Sequence, residues 1–171
     1  MEEWIDELDK EGNLIASRPK KLLKERMFLH KVSLVIPLSK KNNPILSLQT
    51  ADKPFFPSTW CCAVGGKVLS GESEEDAAKR EMIEEVGKSY PVKKIASFIY
   101  DEEDYKGFFT LFTTTIQVEV NEFKLDPKEI QYSKEFEIEK VMQMIKENPK
   151  QFAPTFIAAI KEFNKHYKNK L

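Results

Sequence analysis

Apolar and polar positions alternate in short segments that can be assigned one at a time. Trp4-Ile5-Asp6-Glu7-Leu8 and Asn13-Leu14-Ile15-Ala16 flank Asp9-Lys10-Glu11-Gly12, which predicts a hairpin turning at Gly12. Residues 19–27 (PKKLLKERM) are basic, with Pro in the first turn, and predict a short helix. Residues 30–38 (HKVSLVIPL) are β-branched and apolar and predict a buried strand that ends near Pro37. A turn at 40–44, a strand at 45–49 and a loop at 53–58 with Pro54 and Pro57 follow. Residues 60–64 predict a short strand feeding Gly65-Gly66.

Residues 73–86 predict a helix. Ser73 is a suitable N-cap, Asp76 takes the capping-box position usually held by Glu or Gln, and Gly87 is a natural stop. Residues 95–100 and 108–120 predict strands joined by an acidic turn at Asp101–Asp104, the second alternating imperfectly. Residues 136–146 and 154–167 predict amphipathic helices. Loosely alternating strands and helices predict an α/β sandwich with a mixed β-sheet. At 171 residues, with no repeat or long linker, the chain reads as one domain over 1–171. Residues 1–28 are its N-terminal extension and 29–171 its core.

Composition narrows this only slightly. Apolar residues at 41% and charged residues at 32% suit a globular core. With 27 basic against 28 acidic residues, a net charge of -1 argues against a nucleic-acid binder. No long apolar run predicts a membrane span, and Met1-Glu2-Glu3-Trp4 does not read as a signal peptide. Cys61 and Cys62 are neighbours, so no disulfide framework is expected. The expectation is a reduced, cytoplasmic protein.

Chemistry concentrates in residues 66–88 (GKVLSGESEEDAAKREMIEEVGK). Glu81, Glu84 and Glu85 fall at i, i+3 and i+4 and share one helix face. Three such carboxylates repel one another unless a cation sits among them, and hard oxygen donors suit Mg²⁺ or Mn²⁺. Ala78, Met82 and Val86 can bury the opposite side. Glu72 and Arg80 are placed to orient the cluster by charge-assisted hydrogen bonds. Gly65-Gly66 lets backbone approach closely, so that a carbonyl there can reach a metal. An acidic helix face is ordinarily just solvated; here the fixed spacing of glycine, glutamate and arginine argues for a metal site.

The same segment resembles the Nudix signature. Gly66, Glu72, Arg80, Glu81, Met82, Glu84, Glu85 and Gly87 fall in place, and only Lys88 departs, where an aliphatic residue is usual. The resemblance implies an α/β/α sandwich and attack of water on a phosphorus of a small diphosphate substrate, usually a nucleoside diphosphate derivative. Metal ions would neutralise the phosphate oxygens and acidify water, and a glutamate would take the proton. It implies Glu81 and Glu85 as principal ligands, Glu84 as a further ligand or base, and Gly65 as a carbonyl donor. A carboxylate from outside the box often joins in; the candidates are Glu102, Glu103, Asp104, Glu119 and Glu129. Lys67 and Arg18 are candidates for phosphate contact. Phe55, Phe56, Trp60, Phe108 and Phe109 are candidates to stack on a base or fill the core. A homodimer through the N-terminal segment is compatible with the pattern.

Outside the box, W-I-D-E…G-N-L…R-P…L-H-K, Trp60–Gly66 without Pro before Gly-Gly, and Ala153-Pro154-Thr155-Phe156 resemble the branch related to type I isopentenyl-diphosphate isomerase. That enzyme uses a Cys just before a Gly-His pair, and in this register Gly65 and Lys67 stand where its Cys and His would be. All three box carboxylates are kept, so hydrolysis is expected first, isomerisation second and a catalytically silent binding module third. His30 matches a metal-ligand position of the isomerases, but with Lys67 in place of its partner it is expected to be structural. Cys61 and Cys62 are expected to be small strand hydrophobes. Tyr105, 17 residues past the box, is expected to be a strand-end aromatic, although some family members carry a Tyr near there.

Overall fold

The computed structural model describes residues 1–169; the predicted domain span also takes in residues 170 and 171, which lie outside them. β1 (Trp4–Leu8) pairs antiparallel with β2 (Leu14–Pro19), closing the predicted hairpin. The Asp9 carboxylate holds its turn, accepting from the amides of Glu11 at 3.0 Å and Asn13 at 2.8 Å. The helix expected at 19–27 shrinks to a 3-10 turn at Lys20–Lys24. Only Leu23 is buried there, and so short a segment lacks the packed face that sustains a helix.

Two sheets follow. In the first the order is β6 (Val64–Lys67), β3 (His30–Ile36), β8 (Lys106–Thr114) and β7 (Val92–Asp101). β3 and β8 run parallel and the other neighbours antiparallel, so this sheet is mixed as predicted. The second sheet is antiparallel: β5 (Trp60–Cys62), β4 (Ile45–Gln49), β9 (Ile130–Glu135). Residues 60–64 therefore do not form one strand. The chain breaks at Ala63 and changes sheets, which puts Gly65-Gly66 inside β6 rather than beyond a strand. The strand expected over 108–120 stops at Thr114, and residues 120–122 form a 3-10 turn.

Helices cover both faces. α1 (Glu74–Val86) buries Ala78, Met82 and Val86 against Val35, Val64 and Phe112. α2 (Ile138–Glu147) and α3 (Pro154–Lys168) pack Val141, Phe156, Ile160 and Phe163 into a second core with Ile36 and Leu111. Neighbouring strand positions, Val35 and Ile36 or Leu111 and Phe112, thus serve opposite layers. The result is the α/β/α sandwich. Among the described residues no helix is long and apolar enough to cross a membrane.

His30 opens β3 fully buried. Its Nδ1 donates to the Phe28 carbonyl at 2.8 Å, so its Nε2 is left to accept from the Tyr105 hydroxyl at 3.1 Å. Burial lowers its pKa to about 4 from 6.5. The folded chain resists a proton that the unfolded chain accepts, so stability is complete above about pH 6.5 and falls as pH drops toward 4. The loss is expected to reach roughly 2–3 kcal/mol, read by urea denaturation across that window and reduced in His30→Gln.

Candidate active site

Local chemistry sets α1 in place. The Ser73 hydroxyl accepts from the Asp76 amide at 3.1 Å, and Gly87 closes the helix with a left-handed φ of 78°. On the resulting face Glu81 and Glu85 turn inward and are buried, while Glu84 is exposed. β6 receives them. A Cβ on Gly66 would overlap the Glu81 carboxylate, so only glycine leaves room for it. The Gly65 amide donates to Glu85 Oε2 at 3.3 Å.

Arg80 ties the pieces together. Its guanidinium grips Glu72 with two bonds, at 2.8 and 2.9 Å, donates to the Lys67 carbonyl at 3.0 Å, and reaches Glu81 Oε1 at 2.7 Å. Glu72 in turn accepts from the Leu69 amide at 2.9 Å. One side chain thus fixes the loop before α1, the strand β6 and the first inward carboxylate.

The inward carboxylates are short of positive charge. Burial pushes the Glu85 carboxyl well above the usual range, and the neighbouring Glu81 charge pushes it further. Burial also raises Glu81, although Arg80 opposes this. Among the described residues, no three acidic, His or Cys side chains are gathered into a cation cage. Arg80 holds Glu81, and only a 3.4 Å contact links Arg80 to the outlying Glu84.

A cleft with about 770 Å³ of empty space runs beside Glu85 and Gly65, between β3, β6 and the loop that follows β4. Of the five carboxylates proposed from outside the box, Glu129 alone lines it, paired with Lys53. Glu119 instead pairs with Lys40 beside another groove, Asp104 accepts from the Tyr100 hydroxyl at 3.1 Å, and Glu102 and Glu103 are exposed at the β7–β8 turn. Lys53 was not anticipated; nothing in its proline-flanked loop signals that the fold carries it to the cleft. Lys67 lines the cleft with its ammonium 5.4 Å from the Phe55 ring centre, and burial lowers its pKa to about 8. Arg18 does not line it and pairs with Glu7 at 2.8 Å. Phe55, Phe56 and Phe109 form cleft wall. Phe108 lines a separate groove, and Trp60 packs edge-on to Tyr132 and Phe136. Tyr105 does precede a strand, as expected, but its buried ring also walls the cleft. Cys61 and Cys62 are free thiols at its edge, both held protonated by burial.

The Gly66 contact yields a direct expectation. Gly66→Ala should displace the Glu81 carboxylate and lower turnover by about tenfold or more while the fold persists. Circular dichroism alongside a rate measurement separates the two effects.

The layers and the glycine-loop-helix site define a diphosphate hydrolase of Nudix type. The NUDIX domain model matches residues 29–156, and the chain belongs to that family. Members generally work with divalent metal ions. The chain is 26% identical over 151 residues to a prenyl-diphosphate phosphatase of Methanosarcina mazei, covering 88% of each. It is 33% identical over 100 residues to an isopentenyl-diphosphate Delta-isomerase 2 of Photorhabdus laumondii, covering 58% of this chain and 56% of that one. A Deinococcus radiodurans crystal structure shares the fold with a TM-score of 0.78 at 18% identity, over 93% of this chain and 98% of that one. The chain is thus similar both to a diphosphate phosphatase and to a diphosphate isomerase.

Proposed function

We propose that the chain hydrolyses a diphosphate linkage in a small molecule by attack of water at phosphorus, assisted by Mg²⁺ or Mn²⁺. The observation that carries this reading is Glu85: a buried carboxylate at the cleft, beside a second buried carboxylate, with one long amide bond and, among the described residues, no ion-pair partner. Hard oxygen donors in that state suit a divalent ion. Glu81, Glu85 and the Gly65 carbonyl would hold it, with Glu84 as a further ligand or base. A bound divalent ion would supply neutralisation of phosphate charge and a more acidic water. Glu72 and Arg80 orient Glu81. Glu129, facing the same cleft, is the carboxylate outside the box best placed to take a proton, once Lys53 releases it. Lys67, in the cleft wall, is available to a phosphate oxygen.

Nucleoside diphosphate derivatives are the substrates the family resemblance implies. A second reading, a hydrocarbon-tailed diphosphate, is favoured by the wall itself. Val32, Leu34, Phe55, Phe56, Tyr105 and Phe109 offer rings and methyl groups. The Tyr105 hydroxyl is already bonded to His30, and the Gln49 amide to the Phe56 carbonyl at 3.0 Å. Few groups are left to read a base edge, and the prenyl-diphosphate phosphatase relative supports the same class. A panel of prenyl diphosphates, nucleotide sugars, dinucleotides and nucleoside triphosphates tests the proposal. Release of orthophosphate or nucleoside monophosphate that needs Mg²⁺ or Mn²⁺ is expected. Conversion of isopentenyl to dimethylallyl diphosphate without phosphate release would overturn it in favour of an isomerase. Mn²⁺ binding with no turnover of any compound would favour a silent binding module.

A further inference from the structure

β3 lays out the cleft in rows. Leu34 stands opposite Gly65 on β6, Val32 opposite Lys67, and His30 opposite Gly107 on β8. Residues two apart share a sheet face, so these rows are successive steps along the same side. Leu34 to His30 spans roughly 13 Å at about 3.3 Å per residue. The first row carries the Glu85 contact, through the Gly65 amide. The second carries Lys67, whose ammonium lies in the cleft wall. The third ends at the His30–Tyr105 hydrogen bond.

Tyr105 is held from every side. Its hydroxyl donates to His30 Nε2, and the other nitrogen of His30 is anchored to the Phe28 carbonyl. Its ring packs edge-on to Phe55 at 5.3 Å and against Phe109 at 5.9 Å and Phe56 at 6.0 Å. The backing is equally tight: a Cβ on Gly107 would come within 2.8 Å of the Phe109 ring and 3.3 Å of the His30 carbonyl. With its hydroxyl engaged behind it, Tyr105 presents ring carbon to the cleft.

We propose that Tyr105, locked by His30, is the end wall that limits the length of the organic group carried on the diphosphate. This rests on the hydrocarbon-tail reading above. With the diphosphate spanning the Gly65 and Lys67 rows, one row remains for the tail before the wall. Short branched tails fit in it, and longer ones meet a ring that cannot swing away without breaking the buried bond to His30. Tyr105 acts on specificity and not on the reacting atoms.

The test compares kcat/KM for prenyl diphosphates with five-, ten- and fifteen-carbon tails in the full chain and its variants. Wild type is expected to prefer the shortest. Tyr105→Ala should raise the ratio of fifteen- to five-carbon turnover by about tenfold or more, because a pocket that ends on a removable ring discriminates on that scale. Tyr105→Leu supplies a milder opening should the alanine variant not fold. Tyr105→Phe, which keeps the ring but loses its bond to His30, should relax the length preference in the same direction as Tyr105→Ala but by less. The ratio is taken within each variant, so a general loss of activity cancels. If wild type accepts prenyl diphosphates but the ratio stays put in folded Tyr105→Ala or Tyr105→Leu, the end-wall assignment is overturned and the substrate reading stands. If wild type turns over nucleotides and no prenyl diphosphate, the substrate reading falls and the assignment with it.

Discussion

Glu85→Gln is expected to lower kcat by about 10²-fold or more while making the metal-free protein more stable. The side chain keeps its shape and loses its charge. In the wild type that charge is buried beside Glu81, where burial and its neighbour both resist ionisation. Replacing it relieves a poorly compensated buried charge, an effect of about 1–3 kcal/mol, or a rise of roughly 2–4 °C in thermal midpoint for each kcal/mol at this chain length. The sign with pH follows from the raised pKa. The folded wild type holds a proton that the unfolded chain releases above about pH 4.5, so wild-type stability falls as pH rises from there and the variant's advantage grows. The cost appears in turnover, since removing one charge-bearing group from such a site commonly costs 10²- to 10³-fold. Scanning fluorimetry without metal and a phosphate-release rate with metal read the two effects. A variant that kept both activity and metal affinity would sink the site assignment.

Arg80→Ala is expected to be the most damaging single change to the scaffold of the site. It removes the two-bond grip on Glu72, the bond to the Lys67 carbonyl and the partner of Glu81. Glu81 and Glu72, both largely buried, would be left without their cation. Because the guanidinium keeps some solvent contact, the expected loss is about 2–3 kcal/mol, below the roughly 3–5 kcal/mol of a fully buried broken pair. That corresponds to roughly 4–12 °C in thermal midpoint. Turnover should fall by about 10²-fold, because Glu81 loses the contact that orients it. Arg80→Lys should recover charge but not the planar fork, and so only part of either quantity. Thermal melts and initial rates on the three proteins check both parts.

The legible parts of this molecule were those whose cause is local. Ser73 and Gly87 bracket α1 in the sequence as they do in the structure, since a cap and a left-handed stop depend only on near neighbours. Helical spacing groups Glu81, Glu84 and Glu85 on one face, but that Glu81 and Glu85 turn inward while Glu84 stays exposed depends on how β6 meets the helix. What was missed depends on distant partners. β9 (IQYSKE) carries mostly polar side chains and becomes a strand by pairing with β4 some eighty residues earlier. The break at Ala63 is invisible in an unbroken apolar run, because the two halves differ only in which sheet receives them. Five outside carboxylates looked alike in sequence; Glu129 stands out because the chain bringing β9 back beside β4 delivers it to the cleft. Lys53 and the wall role of Tyr105 are of the same kind, since both arise from where a loop folds over.

Water is expected to attack phosphorus at the Glu81–Glu85 cleft. Running the reaction in ¹⁸O-labelled water with Mg²⁺ or Mn²⁺, on whichever diphosphate the panel selects, and weighing the products by mass spectrometry tests it most directly. The expected result is one label in a released phosphoryl product, none in the organic group, and loss of the labelled product in Glu85→Gln. Label in the organic group, or an unlabelled rearranged diphosphate, would contradict it.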